Sequence, residues 1–247
     1  MALNKADSIS QINDLNPDNT TGEITPADRR IVSTNAIDSN LNTVETIDQT
    51  INSNLETTGQ LFKHSPGWRD ILGSFSNARV TGPNQPTWTM VVNDGASSSG
   101  VYAFSFAPST LNELWTSFHI NHDYAIGTAF FPHVHWAPDN TDTGTVRWGI
   151  EFSASRGHGQ DAFPNTTTIF IEQVAPGIIH QHMLAEFSDP GVTVPNAEPD
   201  MLILARVFRD AAHANDTFTG NAFGLNLDAH FKVDRDSTLN KEPDFYS

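Results

Sequence analysis

The sequence contains no cysteine, few cationic residues and no apolar run long enough to span a bilayer. Without cysteine the chain can form neither a disulfide framework nor a thiolate zinc site. Thirteen Lys and Arg stand against 29 Asp and Glu, which gives a formal net charge of −16. A surface of this sign repels nucleic acid and anionic lipid, so we expect no nucleic acid and no membrane as partners.

Several familiar catalytic motifs are also missing. The chain has no Gly-rich phosphate loop, no G-x-S-x-G elbow and no H-E-x-x-H pair. Its first 20 residues lack the basic and apolar regions of a secretory signal, so we expect synthesis in the cytoplasm. At 247 residues the chain is long enough to bury a substantial core.

Aromatic residues are absent from the first quarter of the chain, and this marks a boundary. All 16 Phe, five Trp and three Tyr lie from Phe62 onward. The preceding residues are rich in Asn, Asp, Thr and Ser and cannot bury a core of their own. We therefore predict an N-terminal arm with an anchoring or oligomerisation helix at 1–63, and a folded domain at 64–247.

A narrow apolar seam runs through the N-terminal part between Pro26 and Gly59. Its residues fall at heptad positions a and d, although Asp48 and Thr58 interrupt them. The pattern favours a helix that associates with copies of itself, and the alternative is one amphipathic helix packed on its own domain. The predicted oligomerisation residues are Ile37, Leu41, Val44, Ile51 and Leu55.

After Phe62 the pattern becomes that of β-strands separated by Gly, Pro, Asn and Asp clusters. Val146, Trp148, Ile150 and Phe152, for example, alternate with polar residues, as in a half-buried strand. We predict a mainly β protein, a jelly-roll-like antiparallel β-sandwich preceded by an extended arm and a short helix. The predicted strands are 88–92, 101–106, 114–121, 126–136, 145–153, 167–174, 179–187, 201–209 and 225–233.

Five tryptophans would also suit a carbohydrate-binding receptor domain. Trp68, Trp88, Trp115, Trp136 and Trp148 fall mostly within strand patterns. Since large aromatic side chains dominate protein cores, we expect most of them in the core.

The stretch "GTAFFPHVHWAPDN" at 127–140 carries the clearest candidate for chemistry. His133 and His135 are two residues apart, so they share one face of a strand, and Asp139 follows. Together they resemble the first cupin motif and are candidate ligands for a divalent metal facing a barrel interior. The acid is an Asp beside a Pro where the motif has Glu, and "PGIIH" at 176–180 only partly matches the second motif. We therefore favour a structural role for both histidines and expect no cofactor, with a divalent metal as the alternative.

Four segments resemble a family of tailed-bacteriophage virion proteins over about residues 66–240. They are "FHINHDYAIGTAFFPHVHWAPDN", "VRWGIEFSASRGHG", "ILARVFRDAAHANDTF" and "LDAHFKVDRDS". The shared pattern is H-D-Y, G-T, H-x-H-W, V-x-W, R-x-x-R-D and a closing D-x-H-aromatic. Residues 20–60 resemble the attachment arms of phage head and tail accessory proteins. The resemblance implies an oligomeric β-rich virion component and brings no catalytic residues.

These observations give one expected function and two alternatives. We expect a non-enzymatic virion protein, a homotrimeric capsid decoration (cement) or head-fibre protein anchored by its arm. Its partners would be its own copies and the major capsid protein or tail proteins. Three-fold assembly is favoured because closed cyclic symmetry suits both roles. The alternatives are a tail fibre or receptor-binding protein and a metal-dependent cupin-like enzyme.

Overall fold

The structure is a computed structural model that describes residues 62–246. The predicted helix and its residues Ile37, Leu41, Val44, Ile51 and Leu55 lie outside this range. The first described element, strand β1, begins at Phe62, two residues before the predicted domain boundary. No helix in the described range is long and apolar enough to cross a membrane.

Ten strands and one 3-10 turn make up the described part of the chain. They are β1 (Phe62–Gly73), the turn (Phe75–Asn77), β2 (Thr87–Val92), β3 (Val101–Phe106), β4 (Asn112–His119), β5 (Phe131–Pro138), β6 (Thr145–Ser155), β7 (Thr167–Val174), β8 (Met183–Glu186), β9 (Leu202–Arg209) and β10 (Ala222–Arg235).

The strands form two antiparallel sheets that pack as a sandwich, so the predicted fold class is confirmed. The six-stranded sheet has the order β2-β3-β10-β5-β8, with β1 also paired to β10, and the four-stranded sheet has the order β4-β9-β6-β7. Strands β2 and β3 form a hairpin within one sheet. From β3 onward every connection crosses to the other sheet, except the hairpin between β6 and β7. This repeated crossing is the jelly-roll pattern.

Strand β10 is central because it pairs with three other strands. Strand β5 lies along one edge of β10, from Ala222 to His230. The other edge is shared, since β3 pairs with Ala222–Gly224 and β1 pairs with the part from Leu227 onward.

All nine predicted strands exist, but three of them begin three or more residues away from the predicted position, and one further strand was not predicted. Strand β5 begins only at Phe131, because a turn with Gly127 at φ 81° precedes it. Strand β8 is reduced to Met183–Glu186, since His180 adopts φ 59° just before it. Strand β10 is longer than predicted. Strand β1 was not predicted because its sequence carries no strand pattern, and its register shifts between Phe62 and Gly67, on either side of Pro66.

The core lies between the sheets and contains two of the five tryptophans. Trp136 and Trp148 are fully buried, and Trp148 makes an edge contact with Phe106 at 5.1 Å between ring centroids. The indole N–H of Trp136 donates to Gln173 at 2.6 Å. Trp68 and Trp88 are more than half exposed and Trp115 is only partly buried, so the expectation that most tryptophans lie in the core was wrong.

One arginine is fully buried at the end of β9. Arg209 has no exposed surface and pairs with Asp216, which is also buried. Its five N–H groups make five hydrogen bonds: two to Asp216 and three to backbone carbonyl oxygens. These carbonyls belong to Phe106, Phe218 and Gly220, so the guanidinium ties β3 to the segment that leads into β10. A buried charge is tolerated only when it is fully paired in this way.

We predict that Asp216→Asn lowers the free energy of unfolding by about 3 kcal/mol or more, because it leaves a buried guanidinium without its counter-charge. Chemical denaturation followed by tryptophan fluorescence measures the change. The control is Asp161→Asn, which breaks the surface pair with Arg156 and should change stability little. Equal small losses in both variants would contradict the role given to Arg209.

Candidate site: a histidine–carboxylate cluster on the outer face of the six-stranded sheet

The two histidines of the H-x-H motif face away from the core. On β5 the buried apolar residues Val134 and Trp136 point inward, so His133 and His135 point to the outer face of the sheet. Strand β10 alternates in the same way, and its Asp228 lies directly opposite His133. The first cupin motif would direct both imidazoles into the interior, and here that space is taken by Val134 and Trp136.

Neighbouring strands add further ionisable side chains to this face. Asp70 on β1 is opposite His230 of β10, and Glu186 on β8 is opposite His133. We call the resulting group the outer-face cluster: Asp70, His133, His135, His182, Glu186, Asp228 and His230.

His135 lies between a second imidazole and a carboxylate. Its Nδ1 is 2.8 Å from Nε2 of His182, and its Nε2 is 3.2 Å from Oδ2 of Asp228. The other oxygen of Asp228 accepts a hydrogen bond from Asn226 at 2.6 Å. The carboxylate is therefore held with one oxygen toward His135.

His133 is buried although it faces outward, because neighbouring rings cover it. Only 1% of His133 is exposed, and its ring centroid lies 4.3 Å from that of His230 and 5.1 Å from that of His135. Its Nδ1 donates to the carbonyl oxygen of Phe131 at 3.1 Å. A carbonyl only accepts, so the other ring nitrogen carries the lone pair.

Burial shifts the pKa values of His133, His135 and Asp228. Burial lowers the pKa of His133, and the neighbouring His230 and His135 lower it further. Burial also lowers the pKa of His135, helped by His182. The pKa of Asp228 is raised by burial. At neutral pH both imidazoles are therefore neutral, which is the form that binds metals.

His230 differs from these two because both of its nitrogens face carboxylates. Its Nε2 is 3.0 Å from Oδ1 of Asp70, and its Nδ1 contacts Glu186. This residue links β1, β10 and β8 across the outer face of the sheet.

Asp139 does not join the cluster. It follows the end of β5, and its carboxylate accepts a hydrogen bond from Asn221 at 2.6 Å. It lies four positions after His135, which in an extended strand is a span of roughly 13 Å. The acid near the two histidines is instead Asp228, from the neighbouring strand.

Sequence reasoning missed Asp228, His230, Asp70 and Glu186 as site residues. The signal for two of them was present, since Asp228 and His230 occupy the polar side of the alternating segment "LNLDAHFKV". Their proximity to His133 depends on the pairing of β5 with β10, across more than 80 residues of sequence. Within the described residues, two groups of three have ligand atoms close enough to share a metal ion: Asp70, His133 and His230, and His133, His135 and Asp228.

A second group of histidines surrounds Asp200. Its Oδ1 is 3.0 Å from Nε2 of His122 and 3.2 Å from Nε2 of His119, and its Oδ2 is 2.9 Å from Nε2 of His158. Phe245, near the C-terminus, packs edge-on against the rings of His122 and His158. Asp200 and His158 both have positive φ, a conformation uncommon outside glycine. The group joins separate loops, and we interpret it as a structural connection.

Comparison with known proteins places the chain in no family. No family model matches it, and no curated protein matches it. Among solved structures it is similar to a carbohydrate-binding module (CBM28) specific for non-crystalline cellulose, with 12% identity and a TM-score of 0.24. That likeness covers 67% of this chain and 93% of the module. A similarity this distant carries no argument about function.

We predict that Asp200→Asn lowers the free energy of unfolding by about 1–2 kcal/mol at pH 7, since three imidazoles lose their charged partner. Partial burial raises the pKa of Asp200, but hydrogen bonds from His158 and His122 outweigh it and hold the pKa below its ordinary 3.8. The stabilisation is therefore fully present above pH 3.8 and is lost as the pH falls through the lowered pKa.

Denaturation of wild type and variant from pH 7 to pH 3 measures the difference. The difference in unfolding free energy between wild type and Asp200→Asn should become smaller only at the acid end of this range. Asp236→Asn, at an exposed position outside this histidine group, is the control. A difference that is already absent at pH 7 would show that Asp200 does not hold the loops.

Proposed function

We propose that the protein is a non-enzymatic structural component of a tailed-bacteriophage virion. In this proposal it assembles as a homotrimer, decorates the capsid as a cement or head-fibre protein, and is anchored by its N-terminal arm. Its partners are its own copies and the major capsid protein or neighbouring virion proteins.

The observation that carries this proposal is an uncovered apolar surface on the β2–β3 hairpin. Only Phe104–Phe106 of β3 pair with β10, so Val101–Ala103 pair with β2 alone. The hairpin thus continues past the rest of the sheet as a two-stranded ribbon. Five of its large apolar side chains are between 40% and 62% exposed: Trp88, Met90, Val92, Val101 and Tyr102.

A ribbon of this kind favours assembly. Two strands alone are only marginally stable in water, and contiguous exposed apolar surface marks protein–protein contacts. Trp88 already stacks on Tyr102 at 6.1 Å and contacts Phe104 edge-on at 4.8 Å, which presents a continuous aromatic surface. Copies of the same chain are the occupants that we propose, because a closed ring buries the same surface in every subunit.

The residues of the family resemblance also support a structural role. Tyr124 of H-D-Y, Trp136 of H-x-H-W, Trp148 of V-x-W and Arg209 of R-x-x-R-D are all buried. Tyr124 donates from its hydroxyl to the carbonyl of Thr128, the threonine of the G-T motif. These motif residues form the core and its internal hydrogen bonds, which is what an architectural protein requires.

A groove on the other sheet favours the second candidate, a tail fibre or receptor-binding protein. It has a volume of about 720 Å³ and runs across the outer side of the four-stranded sheet. Trp115, Arg79, Arg206 and Glu151 are among its lining residues. An aromatic ring beside several hydrogen-bonding groups is a combination that suits a polar ligand such as a glycan.

For the first proposal we expect the purified full-length chain to be a homotrimer at micromolar concentration, as measured by light scattering. Val101→Glu should weaken the trimer at least tenfold, because assembly would bury the new carboxylate. Val174→Glu is the matched control, since Val174 is similarly exposed, at 59% against 62%, on an edge strand of the other sheet. A monomeric wild type would overturn the homotrimer, and an unaffected Val101→Glu trimer would remove the ribbon from its interface.

We further predict that the protein is present in purified virions at a copy number that is a multiple of three. Quantitative mass spectrometry against the major capsid protein measures this ratio, and immunogold labelling gives the position. Label on the head supports decoration, whereas label confined to the tail tip supports the receptor-binding candidate. Absence from virions would overturn both.

A further inference from the structure

We propose that His133, His135 and Asp228 form a binding site for one divalent transition-metal ion on the outer face of the six-stranded sheet. The site does not depend on the virion role, because a structural or an enzymatic protein could carry it. It departs from our sequence-based interpretation because the structure supplies the third ligand that Asp139 does not.

The distances suit one ion. A ligand atom from each of the three residues lies within 4.8 Å of the other two. Metal bonds of about 2.0–2.2 Å place neighbouring ligands roughly 3.3 Å apart in a tetrahedral site. Nε2 of His135 and Oδ2 of Asp228 are already 3.2 Å apart. The remaining distances in the group, at most 4.8 Å, would have to shorten toward this value when the ion binds.

The hydrogen bonds around the site prepare the ligands. His133 donates its Nδ1 proton to the carbonyl of Phe131, which leaves Nε2 with a lone pair. Nδ1 of His135 has His182 as an acceptor, and Asn226 holds the second oxygen of Asp228. Ligating histidines usually donate their other N–H group to such a partner, and ligating carboxylates are held in the same way. In the bound state the neutral His135 carries its one proton on Nδ1, toward His182, and the metal lies between its Nε2 and Asp228.

The second group of possible ligands, Asp70, His133 and His230, is the weaker candidate for a metal site. Both nitrogens of His230 face carboxylates, Asp70 and Glu186, so neither is directed at His133. His230 instead covers His133 and shields the site from water. Asp70 and Glu186 are also more exposed than Asp228, and an exposed carboxylate binds a cation less tightly.

Two neutral imidazoles and one carboxylate select the class of metal. Nitrogen ligands of this type suit zinc, nickel, cobalt or ferrous iron, whereas calcium and magnesium prefer oxygen alone. His133 and His135 come from β5 and Asp228 from β10, so the ion would link the two strands that pair at the centre of the sheet. It would act as a cross-link between them.

Zinc binding to the full-length protein tests the site. The protein is stripped with a chelator, dialysed against zinc chloride at pH 7 and measured by elemental analysis and titration calorimetry. We expect one zinc per chain in wild type and at least 100-fold weaker binding in His135→Gln and in Asp228→Asn. His182→Gln removes an exposed supporting residue and should weaken binding about 10-fold. His213→Gln, at an exposed histidine outside the cluster, is the control and should bind as wild type does.

A spectroscopic measurement on the wild-type protein tests the site without relying on variants, which could lose zinc binding simply because they misfold. Cobalt(II) added to the stripped wild type should give the visible absorption of a four- or five-coordinate site, and zinc should displace it. Binding of zinc no tighter in wild type than in His135→Gln overturns the proposal. So does a cobalt spectrum identical to that of the hydrated ion.

Discussion

From Leu227 to Val233, the side chains of β10 alternate between the core and the outer face of the six-stranded sheet. Leu227, Ala229, Phe231 and Val233 are buried among the apolar residues of the sandwich. Because β10 pairs with β1, β3 and β5, its register fixes the faces of all three. A slip of one residue would turn Phe231 outward and bring Asp228 into the core. The core and the outer-face cluster therefore depend on the same strand register.

The start of β10 is held by the buried arginine. The Arg209 guanidinium donates five hydrogen bonds, and two of its acceptors, the carbonyls of Phe218 and Gly220, lie within the four residues before Ala222. The loop from β9 must follow one path to satisfy this guanidinium, so it delivers β10 in a single register. A bulge between Gly224 and Asn226 then turns Leu225 outward, where it is 36% exposed. The rest of the strand alternates regularly after that point.

Alternation within a strand was readable from the sequence, and pairing between strands was not. The faces of β6 follow directly from Val146, Trp148 and Ile150, which are buried as predicted. Strand β1 escaped notice because Pro66 and Gly67 break its pattern, and it is held by long-range pairing with β10. The same limit applies to the site: two ligands at i and i+2 are visible in one segment, but the third comes from a strand more than 90 residues later. A search along the chain therefore chose the nearer Asp139.

The interior of the sandwich decides where chemistry can occur. Trp136, Trp148, Phe106 and Phe218 fill the space that a cupin-like barrel would keep open for substrate. A metal held by His133, His135 and Asp228 would instead sit outside the core, where its effect is to hold β5 against β10. The apolar ribbon is built from β2 and β3, which contribute no ligand. The proposed assembly through the ribbon and the proposed metal binding at the cluster would thus use different strands, so the loss of one would leave the residues of the other in place.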